Sequence, residues 1–131
     1  NPRKVYPLDP GLIGAFDIGG RSNVGHALET VVHSELQRRK ADLGYVKTAG
    51  GFEVDFLARY PEGGEDLIQV CADPSAPGTQ DRELRALVDA ASDNPRAVLR
   101  LLVLTRDQLL PISAPNVQVQ PAYEWLLTPP G

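Results

Sequence analysis

Residues 50–73 read GGFEVDFLARYPEGGEDLIQVCAD, and this stretch decides the fold. Apolar side chains recur at positions 52, 54 and 56, which predicts a strand with Phe52, Val54 and Phe56 on one face. The acids Glu53 and Asp55 then share the opposite face. The turn signal PEGG at residues 61–64 separates this strand from a second one over residues 66–72. The stretch therefore predicts a hairpin with two acids on one of its faces.

The register of this hairpin decides which polar side chains meet. If the turn is centred on Glu62, Asp55 lies opposite Gln69, within about one residue of register. Glu53 then lies opposite Cys71. Directly opposed side chains are roughly 5 Å apart, so two oxygens there can share one metal ion. The sequence therefore places a candidate polar site on an otherwise apolar hairpin.

Length and composition are those of a single soluble domain covering residues 1–131. There is no run of about 18 apolar residues and no signal peptide, which predicts a protein without a membrane partner. The single cysteine, Cys71, excludes an intrachain disulfide and fits a cytoplasmic location. A net charge of −4 argues against a generally basic nucleic-acid-binding surface. Because the chain begins at Asn1 and lacks methionine, we expect it to be a piece of a longer protein.

The other segments predict helices and strands around the hairpin. Apolar residues at a helical period indicate helices at residues 24–40, which Gly44 would stop, and at residues 79–91. Strands are expected at residues 43–48, 98–105 and 116–120, and a short helix at 122–127. The amino-terminal segment predicts an edge strand at residues 3–8 and a helical turn at 12–16. This order indicates an α/β fold with a mixed sheet of four or five strands flanked by helices, the second helix being a crossover between parallel strands.

Two acids on the first helix compete as functional residues. Glu35 projects from the middle of the apolar stripe, whereas Glu29 lies near its edge. A buried carboxylate needs a partner, a metal ion or a proton, so Glu35 is either a site residue or the partner of an arginine. The basic residues 38–40 that follow either complement the helix dipole or form a phosphate-contacting patch.

The order helix, three strands, helix, strand, with acids on the first helix and the second strand, resembles the core of the PD-(D/E)xK nuclease superfamily, the restriction-endonuclease-like fold. In that pattern a helix glutamate, a strand aspartate and the (D/E)-x-K of the next strand gather around one or two divalent metals. GHALETVVHSELQRR resembles the helix and supplies Glu29, and GGFEVDFLA resembles the strand and supplies Asp55. Gln69, Val70 and Cys71 stand where E-x-K is expected.

A narrower resemblance covers nearly the whole chain. It rests on six segments in order: NPRKVYPLDPGL, LETVVHSEL, EVDF, LIQVCAD, TQDREL and YEWLL. Together they resemble an uncharacterised domain that follows the ATPase module in a group of prokaryotic AAA+-like ATPases. The resemblance implies an attached AAA+-type ATPase module as a partner, but activity has to be argued from the site itself.

The two resemblances imply a candidate metal site with one weak position. Glu29, Asp55 and Gln69 would hold Mg²⁺ or Mn²⁺, although a neutral amide is a weaker ligand than a carboxylate. Cys71 cannot replace the motif lysine because a neutral thiol carries no positive charge. Lys47 on the preceding strand could supply a relocated cation, and Glu53 is either a substitute acid or a solvated strand residue.

Three functional hypotheses follow, and whether the chain is an enzyme stays open. The first is a catalytically degenerate nuclease-like accessory module of an ATPase that binds a partner or nucleic acid. The alternative is a Mg²⁺- or Mn²⁺-dependent DNA endonuclease that uses Glu29, Asp55 and Gln69. The third is a structural assembly domain for which Tyr123 and Trp125 are contact anchors, unless these aromatic side chains cap the core instead.

Overall fold

The computed structural model describes residues 21–71, 78–104 and 116–128. Along these residues the order is α1 (Arg21–Arg38), β1 (Asp42–Lys47), β2 (Glu53–Arg59), β3 (Glu65–Cys71), α2 (Thr79–Ala91), β4 (Val98–Val103), β5 (Val117–Pro121) and α3 (Ala122–Leu127). None of these described helices is long and apolar enough to cross a membrane. The edge strand expected at residues 3–8 and the helical turn expected at 12–16 lie outside the described residues.

The described strands form one mixed sheet in the order β1-β2-β3-β4-β5. Strand β2 runs antiparallel to both β1 and β3, while β3, β4 and β5 run parallel to one another. Helix α2 provides the crossover from β3 to its parallel neighbour β4, as parallel pairing requires. The prediction of an α/β fold with a mixed sheet of four or five strands flanked by helices is confirmed, and the described sheet has five.

Helices cover both faces of the sheet, so the core has two parts. Helices α1 and α3 pack on one face; that cluster contains Leu28, Val32, Leu36, Phe56, Ala58, Tyr60, Ile68, Val70, Leu102, Ala122 and Trp125. Helix α2 packs on the other face; that cluster contains Val54, Leu57, Leu67, Cys71, Ala86, Leu87, Ala90, Leu99, Leu101 and Val103. Strand β4 contributes leucines to both clusters, which explains its nearly continuous apolar sequence.

Helix α1 is terminated by a left-handed lysine two residues after Arg38, and not by Gly44, which was expected to stop it. Lys40 has φ 61°, and its N–H donates to the carbonyl oxygen of Gln37 at 3.0 Å. The N–H of Ala41 donates to the carbonyl oxygen of Leu36, also at 3.0 Å. These two hydrogen bonds satisfy carbonyl groups at the end of the helix. They form because Lys40 is left-handed, a conformation that glycine usually provides at this position. The prediction for Gly44 was wrong, because this residue lies within β1.

The hairpin of β2 and β3 closes where the sequence predicts. Paired residues run from Arg59 and Glu65 next to the turn to Phe56 and Ile68. In the turn, the N–H of Tyr60 donates to the carbonyl oxygen of Gly64 at 2.8 Å. This register, centred on residue 62, confirms that Asp55 and Gln69 are neighbours on adjacent strands.

A β-bulge in β2 changes the faces that were expected for its side chains. The register of β1 against β2 shifts by one residue, so that Asp55 and Phe56 together lie opposite a single residue of β1. Val54 and Leu57 therefore both belong to the α2 cluster, whereas Phe56 belongs to the α1 cluster. The expectation that Phe52, Val54 and Phe56 share one face was wrong for Phe56, because one extra residue reverses the alternation.

Candidate functional site

Side chains join β2 to β3 at the end of the hairpin farthest from its turn. The paired register of the two strands stops at Phe56 and Ile68, one residue before Asp55 and Gln69. There the Oε1 atom of Gln69 accepts a hydrogen bond from the N–H of Asp55 at 2.7 Å. Its Nε2 atom donates to the carbonyl oxygen of Glu53 at 3.0 Å. We call these two bonds the Gln69 clamp.

Asp55 is held at its side chain as well as at its backbone. Its Oδ2 atom accepts a hydrogen bond from the N–H of Val70 at 2.8 Å. Three hydrogen bonds therefore cross from β2 to β3 through the side chains of Asp55 and Gln69. Only 2% of Gln69 is exposed, so water does not compete for its carboxamide. The clamp gives the predicted ligand oxygen of Gln69 a partner other than a metal ion.

The Asp55 carboxyl group lies in an environment that opposes its ionisation. The pKa of Asp55 is raised to about 6: burial is the largest cause, the Val70 N–H lowers the pKa, and the carboxylates of Glu29 and Glu53 add to the increase. The Glu29 carboxylate is therefore close enough to act on Asp55, although Glu29 itself is exposed on α1. The structure thus brings the predicted helix acid and the predicted strand acid into one electrostatic cluster.

Glu83 is a member of this cluster that the sequence did not reveal. Burial, followed by the charges of Asp55 and Glu29, raises the pKa of Glu83 to about 7, while Arg82 lowers it. Glu83 lies near the start of α2, where an acid is expected merely to suit the helix dipole. The sequence signal that could have identified it is its place at the start of the crossover helix, close to the strand end that carries Gln69.

The other helix acid, Glu35, is a structural residue. It is 5% exposed, and its two carboxylate oxygens accept hydrogen bonds from Arg38 at 2.9 and 2.6 Å and from Arg39 at 2.6 Å. Burial disfavours the Glu35 charge, but the two arginines outweigh it and lower the pKa of Glu35. The interpretation of Glu35 as the partner of an arginine is confirmed. Glu29 is the helix acid whose charge acts on Asp55.

Arg39 also fastens α3 to the end of α1. Its guanidinium lies over the indole ring of Trp125, 4.5 Å from the ring centroid, and its Nη2 atom donates to the carbonyl oxygens of Trp125 at 2.9 Å and Thr128 at 2.7 Å. Trp125 is 2% exposed and caps the core, so it cannot serve as a contact anchor. Tyr123 on the same helix is 47% exposed.

Lys47 and Glu53 lie opposite each other where β1 meets β2. Both side chains are exposed, and Glu53 contributes its backbone carbonyl to the Gln69 clamp. Lys47 is therefore on the strand beside Asp55, and its role as a relocated cation stays a prediction. Cys71 is 4% exposed and packs in the α2 cluster, whereas Val70 faces the α1 cluster, as the strand alternation predicts.

A second polar group lies at the opposite end of β3. The Tyr60 hydroxyl donates to Oδ2 of Asp66 at 2.7 Å, and Nε of Arg100 lies 3.0 Å from the other carboxylate oxygen. Burial and the hydrogen bond to Asp66 raise the pKa of Tyr60. Arg100 also donates to the side chains of Gln118 and Gln120 on β5. These contacts link Tyr60, just after β2, to β3, β4 and β5. The contact of Arg100 Nε with Asp66 is an ion pair without hydrogen-bond geometry, so this network is only partly satisfied by hydrogen bonds.

The donor chemistry around Asp55 suits a hard divalent cation only in part. Carboxylates of the Glu29 and Asp55 type are suitable ligands, but the Gln69 oxygen is already hydrogen-bonded. In the part of the chain that the structure describes, no group of three or more His, Cys, Asp and Glu side chains is arranged to hold a metal ion. No protein-family model matches the chain, and no similar protein was found among curated proteins or solved structures.

Proposed function

We propose that the chain is a catalytically degenerate, nuclease-like accessory module of an AAA+-type ATPase, and that it acts by binding a protein partner. The order of α1, three strands, α2 and β4 supports this proposal, because it is the order of the fold that the sequence resembles. The sheet carries Asp55 and Gln69 side by side on β2 and β3, which correspond to the two motif strands.

The chemistry of β3 is the observation that carries the proposal. The nuclease pattern that the chain resembles needs an acid and a lysine on this strand, two residues apart. Gln69 has its carboxamide engaged by the backbone of β2, and Cys71 is packed among apolar side chains. A buried neutral thiol supplies neither a metal ligand of the required hardness nor a positive charge. Strand β3 is therefore built for packing and not for phosphodiester hydrolysis.

The charge around the site favours a protein partner over nucleic acid. Glu29 and Glu53 are exposed beside Asp55, and the whole chain carries a net charge of −4. Nucleic-acid affinity depends mainly on lysine and arginine side chains that neutralise phosphates. Without a bound cation, this acidic surface repels a phosphate backbone. A protein surface that offers basic groups, such as one on the attached ATPase module, has the complementary charge.

Calorimetry with Mn²⁺ tests the proposal directly. We expect no measurable binding to the native domain and no plasmid nicking with Mg²⁺ or Mn²⁺. Binding that disappears in Asp55→Ala but persists in Asp42→Ala would contradict the degenerate assignment. Asp42 is a matched control because it is an exposed aspartate on β1, paired with Arg59 at the other end of β2.

The second candidate function is a Mg²⁺- or Mn²⁺-dependent DNA endonuclease that uses Glu29, Asp55 and Gln69, with Lys47 as the cation. One observation favours it: the carboxyl groups of Asp55 and Glu83 have raised pKa values, and a bound cation would relieve their repulsion. When bound, the metal would activate water and stabilise charge on phosphate. Nicking that depends on Glu29 and Asp55 would establish this function.

A further inference from the structure

We propose that Gln69 is a positioning residue, which holds the Asp55 backbone and carboxylate in place and does not act as a metal ligand. The functional meaning of this inference rests on the proposed function, because Asp55 is the central acid of the candidate site. Its test needs no metal and no substrate. The clamp can therefore be confirmed or rejected whatever the module binds.

The bulge in β2 creates the need for such a residue. The register of β2 with β3 stops before Asp55, so the N–H of Asp55 and the carbonyl of Glu53 need partners from elsewhere. Unpaired buried backbone groups are strongly destabilising. The Gln69 carboxamide supplies an acceptor at 2.7 Å and a donor at 3.0 Å, as a peptide group of a neighbouring strand would.

Only a neutral carboxamide satisfies both groups at once. A charged glutamate at this position has two acceptor oxygens, and the second would face the Glu53 carbonyl in place of the Nε2 donor. It would also add a buried negative charge beside Asp55, at a position that is 2% exposed. A protonated glutamate regains one O–H donor. The glutamate that the nuclease motif would place here is therefore compatible with the clamp only when it is neutral.

The clamp reaches the carboxylate through the backbone of Asp55. With the N–H of Asp55 held by Gln69, its side chain is placed so that Oδ2 accepts from the N–H of Val70 at 2.8 Å. Among the described residues, no hydrogen bond is made to the other oxygen, Oδ1. Oδ1 is consequently the oxygen that remains for a ligand. Removing the clamp should release the carboxylate as well as the strand.

The substitution Gln69→Glu tests the requirement for a neutral carboxamide. With EDTA present throughout, we expect the melting temperature to fall on the order of 10 °C at pH 8 and to recover at least half of that loss at pH 5, where the glutamate takes up a proton. Gln37→Glu adds the same charge at an exposed position on α1 and sets the background pH dependence. Gln69→Leu, which has no donor or acceptor, should be destabilised at both pH values.

Amide hydrogen exchange separates positioning from simple packing. In Gln69→Leu we expect faster exchange at Asp55, which loses its acceptor, and also at Val70, whose acceptor is the Asp55 side chain. Unchanged protection at Val70 would show that the carboxylate does not depend on the clamp. A Gln69→Glu variant that is as stable as the native chain at pH 8 would overturn the inference, because a charged carboxylate would then replace the carboxamide without cost.

Discussion

Replacing Asp55 by asparagine should make the domain less sensitive to pH between 5 and 7. Asparagine keeps an acceptor for the N–H of Val70 but cannot ionise. In the native chain the folded-state pKa of Asp55 is about 6 and that of Glu83 about 7, both above the ordinary values of 3.8 and 4.5. As the pH rises, the unfolded chain loses these protons first. The stability contributed by the neutral carboxyl groups is therefore complete below about pH 4 and is lost as the pH rises through 6 and 7.

The size of the effect follows from the number of protons held only by the folded chain. One such proton changes the free energy of unfolding by about 1.4 kcal/mol per pH unit. Solvent reaches both side chains in part, so we expect the native domain to lose only about 1–2 kcal/mol between pH 5 and 7. Asp55→Asn should lose about 1 kcal/mol less over the same range. Because Asp55 and Glu83 interact, Glu83→Gln should flatten the same curve.

Urea unfolding at half-unit steps from pH 5 to 8 measures this dependence. Glu62→Gln is the control, because Glu62 is exposed in the hairpin turn. The control should follow the native curve. An Asp55→Asn curve parallel to the native one would mean that the Asp55 carboxyl is ionised without penalty in the folded protein. The electrostatic account of the site would then fail.

Three further predictions concern the core. Arg39→Met should lower the free energy of unfolding by about 3–5 kcal/mol, because it leaves the buried Glu35 carboxylate short of a partner. Arg38→Met should lower it by no more than about 1 kcal/mol, because the Arg38 side chain is 68% exposed. Equal losses in urea unfolding would contradict this account. Tyr60→Phe should lose about 1–2 kcal/mol with an unchanged denaturant slope, because a buried carboxylate loses a hydrogen bond. Cys71→Lys should lose several kcal/mol without restoring plasmid nicking, and the native thiol should react slowly with a thiol reagent, so rapid modification without denaturant would refute the packed state of Cys71.

Local patterns were sufficient to predict the elements and their order. The PEGG turn and the alternation on either side of it set the register of β2 and β3, and that register places Asp55 beside Gln69. The nearly continuous apolar run of β4 is typical of a strand covered on both faces, and its leucines do belong to both clusters. These features depend on residues that are close together in sequence or that repeat with a single period. Both kinds of pattern can be recognised in one sequence.

The site was less predictable because it depends on contacts between distant segments. The bulge at Asp55 arises from the mismatch between β1 and β2, and neither strand shows it alone. Glu83 joins Asp55 only once the crossover helix has packed on the sheet. Lys40 ends α1 in a conformation that lysine rarely adopts, so the sequence pointed to a later glycine instead.

The Gln69 clamp also affects how the domain can change during evolution. Hydrogen bonds between peptide groups survive nearly every substitution, because each non-proline residue brings the same backbone. At this end of the hairpin the two strands are joined through the side chains of Asp55 and Gln69, so single codon changes can remove those bonds. A single substitution at Asp55 or Gln69 could thus loosen this end of the β2–β3 hairpin, while the backbone hydrogen bonds along the rest of the strand pairing remain.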